Sequence, residues 1–260
     1  MRLGRITSYN DAGFEMAKAC NLEFIEVCCN SQKDAEDFIA DRKNVAARIQ
    51  KYGLDVSSLG RWNHDVQENG KLNPDKVAVY IALLDAAMEV GAKTFVTGIN
   101  YDDSVSLFRN YANAVDFFGT LTEHAKGNGI KVAIQNCDWN NFITMPEQWK
   151  IVCGENKDLY LKYDPTHAYY KYRDYLAEAS DYAHLFAHIH IKGMVRAGAR
   201  PVDDPPAGMD DLNWGSFMSI LYSRGYNGDL SIEPHSAAWT GEREKLGVDF
   251  TAKYIRQFMF

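Results

Sequence analysis

Four segments in the second half of the chain each run through apolar residues into a side chain that can hold a cation or move a proton. They are Ala133-Ile134-Gln135, Lys162-Tyr163-Asp164, His188-Ile189-His190 and Ser231-Ile232-Glu233. Two carboxylates, an imidazole and a carboxamide oxygen form an oxygen-rich donor set that suits Mn²⁺, Mg²⁺, Co²⁺ or Zn²⁺. A divalent ion in such a set polarises a carbonyl and stabilises the enediolate formed when the neighbouring carbon loses a proton. Glu233 is the candidate acid or base. No single piece is specific: Asp164 before Pro165 is also a common way to start a turn. The combination at corresponding segment ends makes a candidate metal centre of Gln135, Asp164, His190 and Glu233. His188 and His190 stand two apart and face one side of a strand, and His190 lies nearer the strand's C-terminal end. His190 is therefore read as the ligand and His188 as a hydrogen-bonded core residue.

Other residues could contact a substrate. His167 follows Asp164 by three positions, and Lys192 follows His190 by two. Arg61-Trp62-Asn63-His64 and Asp138-Trp139-Asn140-Asn141 bring aromatic rings next to amide and imidazole groups. Rings of this kind stack on the apolar faces of sugars while Asn and His bond to hydroxyls; the plainer role for Trp62 and Trp139 is loop packing. Glu26, in Ile25-Glu26-Val27, is a buried-carboxylate candidate whose plainer role is a structural hydrogen bond. The segment 194–213 holds Arg196, Arg200, Asp203, three prolines and Gly208. It reads as a long irregular loop, a lid or an oligomer contact.

The elements that must position these residues alternate along the sequence. Short apolar or β-branched runs occur at 3–7, 24–28, 55–59, 94–98, 131–135, 159–163, 187–192 and 229–233. Helical patterns lie between them. Asn73-Pro74 is an N-cap with proline at the first helical position, ahead of Val77, Tyr80, Leu84, Ala87 and Met88 at helical spacing. Thr144-Met145-Pro146-Glu147 reads as a capping box. Gly91 and Gly129 sit where helix C-terminal glycines belong, just before strands. Strand then helix, repeated eight times, predicts a parallel sheet closed as a single (β/α)8 TIM barrel spanning 1–260. An open doubly wound sheet is disfavoured because Ile6-Thr7-Ser8-Tyr9-Asn10 is no glycine-rich phosphate loop. In such a barrel the active residues come from the C-terminal strand ends, where the four candidate ligands stand.

Composition narrows the function. The 260 residues carry 28 basic and 35 acidic side chains, a net charge of −7, which argues against a nucleic-acid partner. No run approaches the ~20 apolar residues of a membrane helix, and the first residues lack the apolar core of a signal peptide. The five cysteines have no metal-like spacing and read as reduced thiols of a cytoplasmic protein.

The sequence resembles the xylose-isomerase-like barrels, which include sugar phosphate isomerases, ketose 3-epimerases, hydroxypyruvate isomerase and inosose dehydratase. The resemblance covers nearly the whole chain. It is strongest in Leu161–His167, in His188–Lys192, and from Asp211-Leu212-Asn213-Trp214 through Gly225–His235. It implies a metal held by Glu, Asp, His and Glu at strands five to eight, with Asp164, His190 and Glu233 matching the last three. It also implies that His167 and Arg196 contact substrate and that the protein is a dimer or tetramer. Gln135 departs from the pattern. In ketose 3-epimerases the two metal-bound glutamates carry protons on opposite faces of the sugar carbon, and an amide cannot do so at neutral pH.

The expected activity is therefore that of a metal-dependent sugar isomerase or epimerase-type enzyme that needs only one strong base. A lyase performing β-elimination on a keto-sugar or keto-inositol is the alternative. A non-catalytic carbohydrate-binding subunit without metal is a third reading. Phosphodiester cleavage, as in related barrel endonucleases, is disfavoured by the acidic charge and by the absence of a histidine in Gly98-Ile99-Asn100. With no phosphate cradle in the sequence, the substrate is expected to be an unphosphorylated small carbohydrate.

Overall fold

Each predicted apolar run forms a strand, because a β-branched or aromatic segment whose two faces are both covered can bury nearly every side chain. The computed structural model describes residues 1–260. Its barrel strands are β1 (Arg2–Ile6), β2 (Phe24–Cys29), β3 (Asp55–Arg61), β4 (Thr94–Thr97), β5 (Lys131–Gln135), β6 (Leu159–Tyr163), β7 (Phe186–Ile191) and β8 (Asp229–Ile232). They close into a barrel in the order β1-β8-β7-β6-β5-β4-β3-β2. Pairing is parallel, with Leu3 beside Leu230, Ser231 beside His190 and Gln135 beside Lys162. Asp164, Lys192 and Glu233 each lie just beyond a strand end.

Helices follow the strands: α1 (Asp11–Ala19), α2 (Gln32–Tyr52), α3 (Pro74–Glu89), α4 (Leu107–Ala125), α5 (Pro146–Glu155), α6 (Pro165–Tyr170), α7 (Tyr175–Tyr182), α8 (Trp214–Ser223) and α9 (Glu242–Arg256). Their starts are fixed by short polar side chains that satisfy otherwise orphaned N–H groups. The Asn10 side chain accepts from Gly13 N, and Ser31 and Asp34 form a reciprocal box at α2. Asn73 caps α3 with Pro74 at its first position, as predicted. The cap of α5 differs from expectation. Pro146 takes the first helical position, so Met145 becomes the cap residue, and Gln148 Oε1 accepts from Thr144 N at 2.6 Å and Met145 N at 3.0 Å.

By its contacts the chain divides into two compact units, residues 1–26 with 163–260 and residues 27–162. In the first, the Tyr163 ring stacks on Phe186 at 4.5 Å, and its hydroxyl donates to Glu178 Oε2 at 3.0 Å. In the second, the Tyr80 ring meets Phe117 edge-on at 5.2 Å. The segment 194–213, expected to be irregular, contains an antiparallel hairpin of Val195–Ala197 with Arg200–Asp203. Gly198 at its turn takes φ +60°, a conformation that other residues adopt only with strain.

Candidate functional site

Asp164 has two structural tasks. As the N-cap of α6, it accepts from Thr166 N at 2.9 Å and Thr166 Oγ1 at 2.6 Å, both through Oδ1. Oδ2 then faces Lys192 Nζ at 3.3 Å, His167 Nε2 at 3.6 Å and His190 Nδ1 at 4.0 Å. The turn reading and the ligand reading of Asp164 are thus compatible: the cap aims the second oxygen.

His190 is aimed from behind. Its Nε2 lies 2.9 Å from Glu26 Oε2, and His188 Nε2 lies 3.0 Å from the same oxygen. An ionised carboxylate only accepts, so both Nε2 atoms carry hydrogen. In a neutral His190 ring this leaves a lone pair on Nδ1, which faces Glu233 Oε2 at 3.3 Å. Burial raises the Glu26 carboxyl, but the neighbouring His190 and His188 overcome that and hold it well below its usual range. Glu26, Asp164, His188 and His190 are wholly buried.

With His190 neutral, as a ligand to a cation must be, three acceptors converge: Asp164 Oδ2, His190 Nδ1 and Glu233 Oε2, all within 4.8 Å of one another. Buried acceptors that face each other without hydrogen between them require a positive charge. Lys192 supplies one, with Nζ 3.0 Å from Glu233 Oε2. Burial works against its ammonium, and Asp164 and then Glu233 more than reverse this, so it remains charged. Three carboxylates, counting Glu26, outnumber that one lysine, and the mixed oxygen and nitrogen donors fit a divalent cation. Glu26, His188 and His190 also lie within the same span. That trio suits a cation less well, because both imidazoles turn N–H groups toward its only carboxylate.

Gln135 belongs to a second polar cluster, inside residues 27–162. Its Nε2 is 2.9 Å from His64 Nε2, and its Oε1 has no hydrogen-bond partner. His64 Nδ1 lies 3.4 Å from both Tyr80 Oη and Thr97 Oγ1. Burial, reinforced by the Arg61 guanidinium, pushes the His64 imidazolium down to about 3. Trp62 is 9% exposed, with Lys162 Nζ 5.0 Å over its ring, whereas Trp139 is 46% exposed. In the other unit, Arg196 lies on the hairpin with its guanidinium 3.6 Å from the Tyr169 ring centre and 4.5 Å from that of Tyr172. His235 pairs with Asp204 at 2.7 Å, which raises its proton affinity.

A family model described as a xylose isomerase-like TIM barrel matches residues 14–256. The chain belongs to the xylose isomerase-like TIM barrel family. Among solved structures it is similar to D-psicose 3-epimerase from Clostridium cellulolyticum H10 with D-tagatose, at 13% identity over 100% of this chain and 99% of that one, with a TM-score of 0.79. It is similar to 3-keto-D-glucoside 4-epimerase from E. coli, at 15% identity over 99% of each chain, with a TM-score of 0.75. It is also similar to the IolI protein with a bound zinc atom, at 15% identity over 99% of this chain and 98% of that one, with a TM-score of 0.78. Likeness at these identities is one of fold. No curated protein sequence matches the chain.

Two contacts of this xylose isomerase-like barrel lay beyond sequence reasoning. Glu26 and His188 were each legible, one as a carboxylate in an apolar run and the other as a core histidine. Nothing in the sequence joined them across 162 positions. The pairing of His64 with Gln135 likewise had no local signal.

Proposed function

We propose that the chain is a metal-dependent sugar isomerase or epimerase-type enzyme acting on a small, unphosphorylated carbohydrate by removing a proton next to a carbonyl. The observation that carries this reading is the convergence of Asp164 Oδ2, His190 Nδ1 and Glu233 Oε2 beside Lys192. The two similar folds named for epimerases, and the zinc bound in the IolI protein, agree with it.

Asp164, His190 and Glu233 would hold the cation; Gln135 is retained as the fourth donor on sequence grounds. When bound, a divalent cation, Mn²⁺ before Mg²⁺, Co²⁺ or Zn²⁺, stabilises the negative charge that develops on the substrate oxygens as the proton leaves. Glu233 is the base: its side chain is 10% exposed, the most accessible of the converging carboxylates. Lys192 lowers the cost of keeping Glu233 and Asp164 ionised side by side, and it would donate to a substrate oxygen. His167, Arg196 and Trp139 are the proposed substrate contacts. His64 and Trp62 are buried, and the first acts through Gln135.

Gln135 carries no exchangeable carboxyl proton, so proton removal and return use one base on one face. That favours aldose–ketose isomerisation, and keeps β-elimination from a keto-sugar as the second reading, over two-base epimerisation. A panel of sugars and keto-sugars with Mn²⁺ in deuterated water, followed by NMR, tests this. One deuterium should enter a carbon next to the carbonyl, and Glu233→Gln should slow its entry by roughly 10²–10⁴-fold. Purified protein that neither contains nor rebinds a divalent metal would instead favour a carbohydrate-binding subunit.

A further inference from the structure

We propose that His64 is a positioning residue for Gln135: it fixes the carboxamide with the oxygen as its free atom, so that position 135 is a built neutral donor rather than a worn-down carboxylate. The pairing stands on contacts within residues 27–162. Only the use of the freed oxygen rests on the function proposed above.

Proton accounting sets the orientation. Thr97 Oγ1 has one hydrogen, which goes to a backbone carbonyl, Arg61 O at 3.2 Å or Gly98 O at 3.4 Å. With that hydrogen used, Thr97 Oγ1 can accept from His64 Nδ1, and Tyr80 Oη stands at the same 3.4 Å from that nitrogen. The Gln135 amide nitrogen, 2.9 Å from His64 Nε2, only donates, so Nε2 is the lone pair and Nδ1 carries the imidazole hydrogen, facing Thr97 Oγ1 and Tyr80 Oη. Gln135 Oε1 is left buried without a partner.

The surroundings hold both residues to this arrangement. His64 is wholly buried and Gln135 is 1% exposed. Asn140 Nδ2 donates to the His64 carbonyl, and Asn141 Nδ2 donates to the Gln135 carbonyl at 2.9 Å. A Cβ at Gly98 would lie 2.7 Å from His64 Nε2, so only glycine there leaves the ring its place. A glutamate at 135 would set a carboxylate against the Nε2 lone pair. The ring would then have to move its hydrogen to Nε2 and give up its donation to Thr97. Positions 64 and 135 therefore form one chemical unit.

The test uses full-length protein labelled with ¹⁵N-histidine and no added metal, read by long-range ¹H–¹⁵N spectra. His64 is expected in the Nδ1–H form, changing to Nε2–H in Gln135→Glu. An Nε2–H form in the unaltered protein, or one form in both proteins, would overturn the pairing. Mn²⁺ titration followed by electron paramagnetic resonance then tests the use of the oxygen. His64→Ala and Gln135→Ala should each weaken Mn²⁺ about tenfold, with little further loss in the double variant. His64→Gln, which keeps an acceptor, should restore much of the affinity. Unchanged Mn²⁺ affinity with the expected tautomers would overturn the ligand role of Gln135 and leave the pairing standing.

Discussion

At the residue scale, the chemistry depends on side chains whose two polar ends do different work. Asp164 is the plainest case, with one oxygen closing a helix and the other facing Lys192 and His190. Asp164→Asn keeps a capping oxygen and loses the charge. Its Mn²⁺ affinity should fall at least tenfold by calorimetric titration, while stability in urea stays within about 1 kcal/mol, the usual scale of a cap. His64 gives a pH prediction. Burial depresses its folded pKa to about 3 from the ordinary 6.5, so the unfolded chain binds the extra proton first as pH falls. The stability this neutral histidine contributes is complete above the unfolded value and is lost as pH falls from 6.5 toward 3. The slope is at most about 1.4 kcal/mol per pH unit. Denaturation midpoints across that range should show a shallower acid limb for His64→Gln than for the unaltered protein; parallel limbs would mean that His64 titrates normally.

At the element scale, strand ends and the loops after them decide which side chains meet. The loop after β3 carries His64 and the loop after β5 carries Trp139. Each passes through an asparagine with positive φ, Asn63 at 56° and Asn140 at 51°. Asparagine tolerates that conformation better than most side chains, and Asn140 ties the two loops through the His64 carbonyl. Gly98, just past β4, completes the arrangement by lacking a Cβ. Gly98→Ala would press on His64 and on Asn141 Cγ, both 2.7 Å from the added carbon. It should cost about 1–3 kcal/mol in urea unfolding, with His64 resonances shifted; an unchanged midpoint would mean that the loop relaxes freely. The hairpin of Val195–Ala197 with Arg200–Asp203 holds Arg196 over Tyr169 and Tyr172, so that residue is placed by aromatic stacking as well as by its strand.

At the scale of the whole molecule, the closed strand order and the single-domain expectation lead to one measurement. Thermal unfolding by calorimetry should give a single transition with equal calorimetric and van't Hoff enthalpies, whereas two resolved transitions would assign separate stability to the two contact-defined units. Legible from residue order were the alternation of strands and helices, the strand ends at which Asp164, His190, Lys192 and Glu233 stand, and the departure at Gln135. The departure at Gln135 follows from the family resemblance, and the other features follow from local rules: burial period, capping and chain order act on neighbouring residues. The folded arrangement was needed to see that Glu26 holds both His188 and His190, that Asp164 and Glu233 share Lys192, and that His64 meets Gln135. These pairings join residues far apart in the chain. A hydrogen bond depends on distances of a few tenths of an ångström and on which nitrogen holds a proton, and residue types and spacing alone do not encode either.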